Sequence, residues 1–116
     1  MVERRRKRAT DATQALSLFL EEQVNHRGAV AMACGRLDGS ALGGGGEADA
    51  SVLAEAGARR LRGRCLDAYR IELGDVDLID AVVVDFDGEP LVVATQGGKR
   101  PLPGELDSHV RRILAA

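Results

Sequence analysis

Between positions 10 and 25, apolar side chains at Ala12, Ala15, Leu16, Phe19, Leu20 and Val24 share one side of a helical projection, and Gln14, Ser17, Glu21, Glu22 and Asn25 take the other. That spacing predicts an amphipathic helix, capped by Thr10 or Asp11 and ending near Asn25-His26-Arg27-Gly28. Ala29 to Leu37 is apolar on both alternating faces, the pattern of a strand covered on both sides. Asp38-Gly39 predicts a tight turn, with Ser40-Ala41-Leu42 as a short returning strand and Gly43 to Gly46 as a flexible connector. Asp49 then caps a helix from Ala50 to about Arg62, with Val52, Leu53, Ala56, Gly57 and Leu61 on its apolar face and Glu55 to Arg59 as a supporting i,i+4 pair.

After Gly63, Tyr69, Ile71 and Leu73 alternate with Ala68, Arg70 and Glu72, which predicts a half-buried strand. Leu78 to Phe86 and Leu91 to Thr95 are β-branched runs joined by Asp87-Gly88-Glu89-Pro90, a second hairpin. Leu106, Val110, Ile113 and Leu114 give a last helix its apolar stripe. The expected architecture is α/β in the α+β sense: a single five-stranded, mainly antiparallel sheet with helices on both faces. Its order is helix-strand-strand-helix-strand-strand-strand-helix.

Composition changes this picture in two ways. With 116 residues, 45% apolar, and only two Phe, one Tyr and no Trp, one domain with an aliphatic core is expected. The net charge is -2, yet Arg4, Arg5, Arg6, Lys7 and Arg8 stand together, so the chain divides into a mobile basic arm over residues 1–9 and a folded domain over 10–116. Such an arm suits nucleic acid, an anionic membrane surface or an acidic partner, and equally suits a solvated terminus. No apolar run reaches the roughly 20 residues a membrane-spanning helix needs, and a cytoplasmic location is expected. Cys34 and Cys65 have neither metal-site nor paired-loop spacing and read as buried free thiols.

Each chemical motif has a plainer explanation. Val82-Val83-Val84-Asp85-Phe86-Asp87-Gly88 resembles the first motif of haloacid-dehalogenase-type phosphatases, but only 28 residues follow Gly88 (116 minus 88), and a hairpin turn explains the same residues. Asp75, Asp77, Asp80, Asp85 and Asp87 suggest a cation cluster, yet a calcium loop starting at Asp85 would place Gln96 where a bidentate Glu belongs. The glycine run lacks the Gly-Lys-Ser/Thr ending of a phosphate loop. His26 and His109 sit in no ligand or triad spacing, and Ser108 beside His109 diverges from it by about 100° around a helix. The expectation is a non-enzymatic protein, with no catalytic residue, no cofactor and no metal.

The element order, the segment Gly28-Ala29-Val30 to Leu42 with its Asp38-Gly39 turn, the Asp49-led helix and the hairpin from Val82 through Leu91 to Ala94 together resemble the Roadblock family. These are the dynein-light-chain-like domains, related to profilin-like and longin-like folds, that include bacterial regulators of small GTPases. The resemblance covers about Thr10 to Ala116; the basic arm, the four glycines and the Pro101 to Gly104 lead into the last helix depart from it. It implies a profilin-like fold and a dimer joined through the middle strand and second helix, with Leu53, Gly57, Leu61, Tyr69, Ile71 and Leu73 as dimer-face candidates. It also implies a scaffold or regulator in a signalling or polarity system, partnered by itself and by a Ras-like GTPase. An arginine finger from Arg59, Arg60, Arg62 and Arg64 is a further option, against a solvated helix face.

Overall fold

Leu16, Leu20 and Val24 recur at helical spacing and are buried, which seats helix α1 (Val2–Arg27) on one face of a sheet. The computed structural model describes the backbone of residues 2–86, 88–98, 106, 110 and 112–114, and the side chains of 13–85, 88–98, 106, 110 and 112–114. The helix begins at Val2 rather than at Thr10 or Asp11, so the backbone of the basic run is helical. Ala15, expected on the apolar face, is exposed.

The sheet has four strands, β1 (Ala31–Arg36), β2 (Ala41–Gly46), β3 (Ile79–Phe86) and β4 (Glu89–Gln96). They are antiparallel throughout, in the order β2-β1-β4-β3. The expected five-stranded sheet is therefore wrong by one strand. The missing one is Leu66 to Leu73, which forms a 3-10 turn at Asp67–Tyr69 followed by the short helix α3 (Arg70–Leu73), and a second 3-10 turn at Val76–Leu78 leads into β3. The inward residues are Leu66, Tyr69 and Leu73, spaced three and four apart, while Ile71 is 97% exposed. That is helical spacing, and the alternating reading had to place Ile71 beside Leu73 on one face. Asp67 also accepts from Arg70 Nε at 2.9 Å, a contact across one turn.

Helices cover both faces, as expected. On one side α1 packs with Met32, Cys34, Val82, Val84, Leu91 and Val93, together with Leu106 and Val110 of the helical stretch near the chain's end. On the other, α2 (Ala50–Leu61) buries Leu53, Ala54, Ala56, Gly57 and Ala58 against Ala31, Ala33 and Ala94, with Leu66, Leu73, Val76 and Ile79 completing that layer. Small residues on both sides of the second interface bring α2 close: a Cβ on Gly57 would lie 2.6 Å from the Ala94 Cβ. Asp49 caps α2 as expected, accepting from the Ser51 N–H at 2.8 Å and the Val52 N–H at 3.3 Å.

The four glycines are strand rather than connector. They form most of β2, an outer strand held between two helices: a Cβ on Gly45 would sit 2.6 Å from the Glu21 backbone nitrogen in α1, and one on Gly44 2.5 Å from the Ala50 Cβ in α2. Only a residue without a side chain lets both helices approach that closely.

Candidate interaction surface

An outer strand leaves one row of backbone groups unpaired, so the two edges of this sheet are the first places to look for a partner. At the β2 edge, α1 supplies the missing bonds. Ser17 Oγ accepts from the Gly44 N–H at 3.3 Å, and Glu21 Oε2 accepts from the Gly46 N–H at 2.7 Å. Side chains on a packed helix thus occupy the positions that a fifth strand would use.

The β3 edge has no strand beside it in the described residues. Val82 and Val84 point into the α1 layer and are buried. Ala81, Val83 and Asp85 alternate with them and face the α2 side, where Val83 is 41% exposed. Seven large apolar residues are exposed among those described, and four of them, Leu61, Ile71, Leu78 and Val83, lie between the end of α2 and β3. Exposed apolar side chains in the segment that leads into an open edge strand make it the first candidate for a contact surface.

The six dimer-face candidates do not form one surface. Leu53, Gly57 and Leu73 are buried inside the subunit, and Tyr69 is half-buried against the same layer. Ile71 and Leu61 are exposed. No strand exists at Tyr69, Ile71 and Leu73 to join two copies, and the open sheet edge among the described residues belongs to β3. Val83 was hidden in the run Val82-Val83-Val84, since three consecutive valines read as buried on both faces. The only available signal was Asp80 and Asp85 flanking it, charges that often guard an exposed edge.

The arginines divide by task. Arg60 donates Nε to the Ile79 carbonyl at 3.1 Å and Nη2 to the Val76 carbonyl at 2.8 Å, tying α2 to the start of β3. Arg59 does not form its expected pair with Glu55; its guanidinium lies over the Tyr69 ring, 5.6 Å from the centroid. Burial, followed by the negative charge of the nearby Glu55 carboxylate, pushes the Tyr69 pKa up. Arg70 holds Asp67 below the usual carboxylate range through their hydrogen bond and also reaches Asp77 at 3.4 Å.

The acidic cluster is dispersed. Asp75 caps the turn before β3, accepting from the Asp77 N–H at 3.1 Å, and Asp77 pairs with Arg70. No group of three or more potential metal ligands occurs among the described residues. Asp87 and His109 lie outside those residues, as do the side chains of Arg4, Arg5, Arg6, Lys7 and Arg8; His26 is exposed in the last turn of α1. Both cysteines are free, but only Cys34 is buried; Cys65 is exposed. Burial pushes the Cys34 thiol up to about 12.

No protein-family model matches this chain, and no curated protein or solved structure matches it significantly. No helix among the described residues is long and apolar enough to cross a membrane. The surface itself must therefore carry the functional reading.

Proposed function

We propose that this protein is a non-enzymatic interaction module that self-associates and serves as a scaffold or regulator of a Ras-like small GTPase in a signalling or polarity system of the cytoplasm. The observation that carries the reading is the open β3 edge with Val83 exposed on it, in a sheet whose other edge is occluded by α1, together with exposed Leu61, Ile71 and Leu78 in the segment leading into β3. The Roadblock-like order of the other elements is what selects a GTPase as partner. A regulator of this kind acts by holding the switch loops in one arrangement and shifting that population, so it supplies no reacting group of its own.

Self-association through β3 has a preferred register. Directly opposed residues of an antiparallel pair share a face, so a two-fold pair of copies aligns even with even and odd with odd positions. Centring on Val83 sets Val83 against Val83 and Asp80 against Phe86. The test is solution mass by light scattering for the intact chain, Val83→Lys and Ile71→Asp, followed by binding of a purified Ras-like GTPase loaded with GDP or a non-hydrolysable GTP analogue. A dimer dissolved by Val83→Lys, with capture that depends on the nucleotide, supports the reading. A monomer that ignores the GTPase in both states overturns it.

A further inference from the structure

At the end of α2, a cleft of about 170 Å³ is lined by Asp38, Gly39, Glu55, Arg59, Arg62 and Arg64. The chain builds it from two turns. Helix α2 ends in a paired reversal in which the Gly63 N–H donates to the Arg60 carbonyl at 3.0 Å and the Arg64 N–H to the Arg59 carbonyl at 3.0 Å, with Gly63 at φ +69°. That reversal folds Arg64 back alongside Arg59. The opposite wall is the β1–β2 turn, which packs against α2 so closely that a Cβ on Gly39 would lie 3.4 Å from the Glu55 Cα.

The charges in the cleft are not paired with each other. Asp38 Oδ1 accepts from the Ser40 N–H at 2.8 Å and from Ser40 Oγ at 2.7 Å, and the Glu55 charge acts on the Tyr69 phenol. On the basic side, Arg62 Nη2 donates to the Leu37 carbonyl at 2.8 Å and Arg59 lies on the Tyr69 ring. None of the three guanidiniums has a carboxylate within ion-pair distance among the described residues, and Arg64 makes no side-chain contact there. Each guanidinium keeps donors in hand: Arg59 is set by a ring and Arg62 by a carbonyl, and the helix-ending turn places the backbone of Arg64.

We infer that this cleft is a binding site for a phosphoryl group, held by Arg59, Arg62 and Arg64. The lining favours a phosphoryl oxyanion over a carboxylate because planar guanidinium forks match its several oxygens, and three arginines line the one cleft where a carboxylate would occupy a single fork. Asp38 and Glu55 reduce the formal charge of the lining to +1, which keeps the site weak for simple anions and selects ligands that engage several donors at once. The inference is independent of the β3 edge and of any GTPase.

The test is calorimetric titration of the full chain at constant ionic strength, first with inorganic phosphate, then with ribose 5-phosphate and with an O-phosphoserine tripeptide. Variants are Arg64→Gln, whose side chain has no structural contact to lose, Arg59→Gln, and Arg112→Gln as a distant exposed control. Saturable phosphate binding that weakens about tenfold for each cleft arginine removed, the scale of one charge-assisted hydrogen bond, and is unchanged in Arg112→Gln supports the site. Tighter binding of the sugar phosphate identifies a free phosphate ester as the ligand, and tighter binding of the tripeptide a phosphorylated side chain. Binding that is absent, or equal in all variants and so only a response to salt, overturns it. Because no step depends on solution mass, this outcome stands apart from that of the dimer experiment.

Discussion

Glu21 on α1 accepts a 2.7 Å hydrogen bond from the Gly46 N–H at the outer edge of β2. With Ser17 and Gly44 one step along, it makes a helix side chain do what a neighbouring strand would do. The arrangement depends on the glycines, since any side chain at Gly45 would push α1 away.

Glu21→Ala should therefore lower stability by about 1 kcal/mol, the usual net worth of a hydrogen bond to a charged or polar partner. It should also speed hydrogen exchange at Gly46 and raise the tendency to associate through β2. Chemical denaturation and amide exchange check both effects, and unchanged Gly46 exchange would count against the capping role.

Gly57→Ala should destabilise the fold by about 1 to 3 kcal/mol although alanine is the better helix former. Its methyl group would meet the Ala94 Cβ at 2.6 Å, so α2 or β4 must shift. A thermal melt decides the sign, and a raised Tm would show that the interface has room.

Ile71 and Leu73 are two residues apart and should behave oppositely. Ile71→Asp touches a side chain that is 97% exposed and should leave the stability within about 0.5 kcal/mol of the parent's. Leu73→Asp places a charge among Leu53, Leu66 and Val76 and should unfold the α2 side of the sheet. Circular dichroism of the two variants, recorded side by side, distinguishes the helical segment from an alternating strand in which both would face the same way.

In the folded protein one thiol should react quickly at pH 8 and the other should not. Cys65 is exposed, whereas Cys34 is buried and its thiol is pushed up to about 12, so little thiolate forms and little reagent reaches it. Counting modified thiols before and after denaturation should give one and then two.

Asp38 lies below the usual carboxylate range because Ser40 donates to it twice, first through its hydroxyl and then through its N–H. A carboxylate whose folded pKa is depressed contributes stability above its unfolded pKa, and that contribution fades as pH falls through the folded value. Stability should thus drop below about pH 4, and Asp38→Asn should flatten part of that acid limb. A pH series of melts reads this directly; an identical slope in the variant would remove Asp38 from the account.

Much of the fold could be read from local chemistry. The Asp49 cap, the Asp38-Gly39 turn, the periodic leucines of α1 and the paired runs of β3 and β4 each carry their instruction within a few residues, because caps, turns and periodicities are short-range effects. The interaction surface was less legible. Leu61 and Ile71 were named as contacts and are exposed, but Leu53, Gly57 and Leu73 were named beside them and lie inside, since an apolar residue looks the same in sequence whether it meets its own sheet or another molecule.

The sequence by itself determined the arrangement of helices on both faces of an antiparallel sheet, through the helical and alternating periodicities of its apolar residues. Only the tertiary structure decided what became of Leu66 to Leu73 and of the four glycines. In the first case an eight-residue stretch fits both a strand and a helical turn, and burial of Leu66, Tyr69 and Leu73 under α2 chose between them. In the second, glycine has no side chain to declare a preference, and the close approach of α1 and α2 from opposite sides fixed the run as an edge strand. Both outcomes rest on contacts between residues far apart in the chain, and those contacts are what leave β3 as the open edge of the sheet.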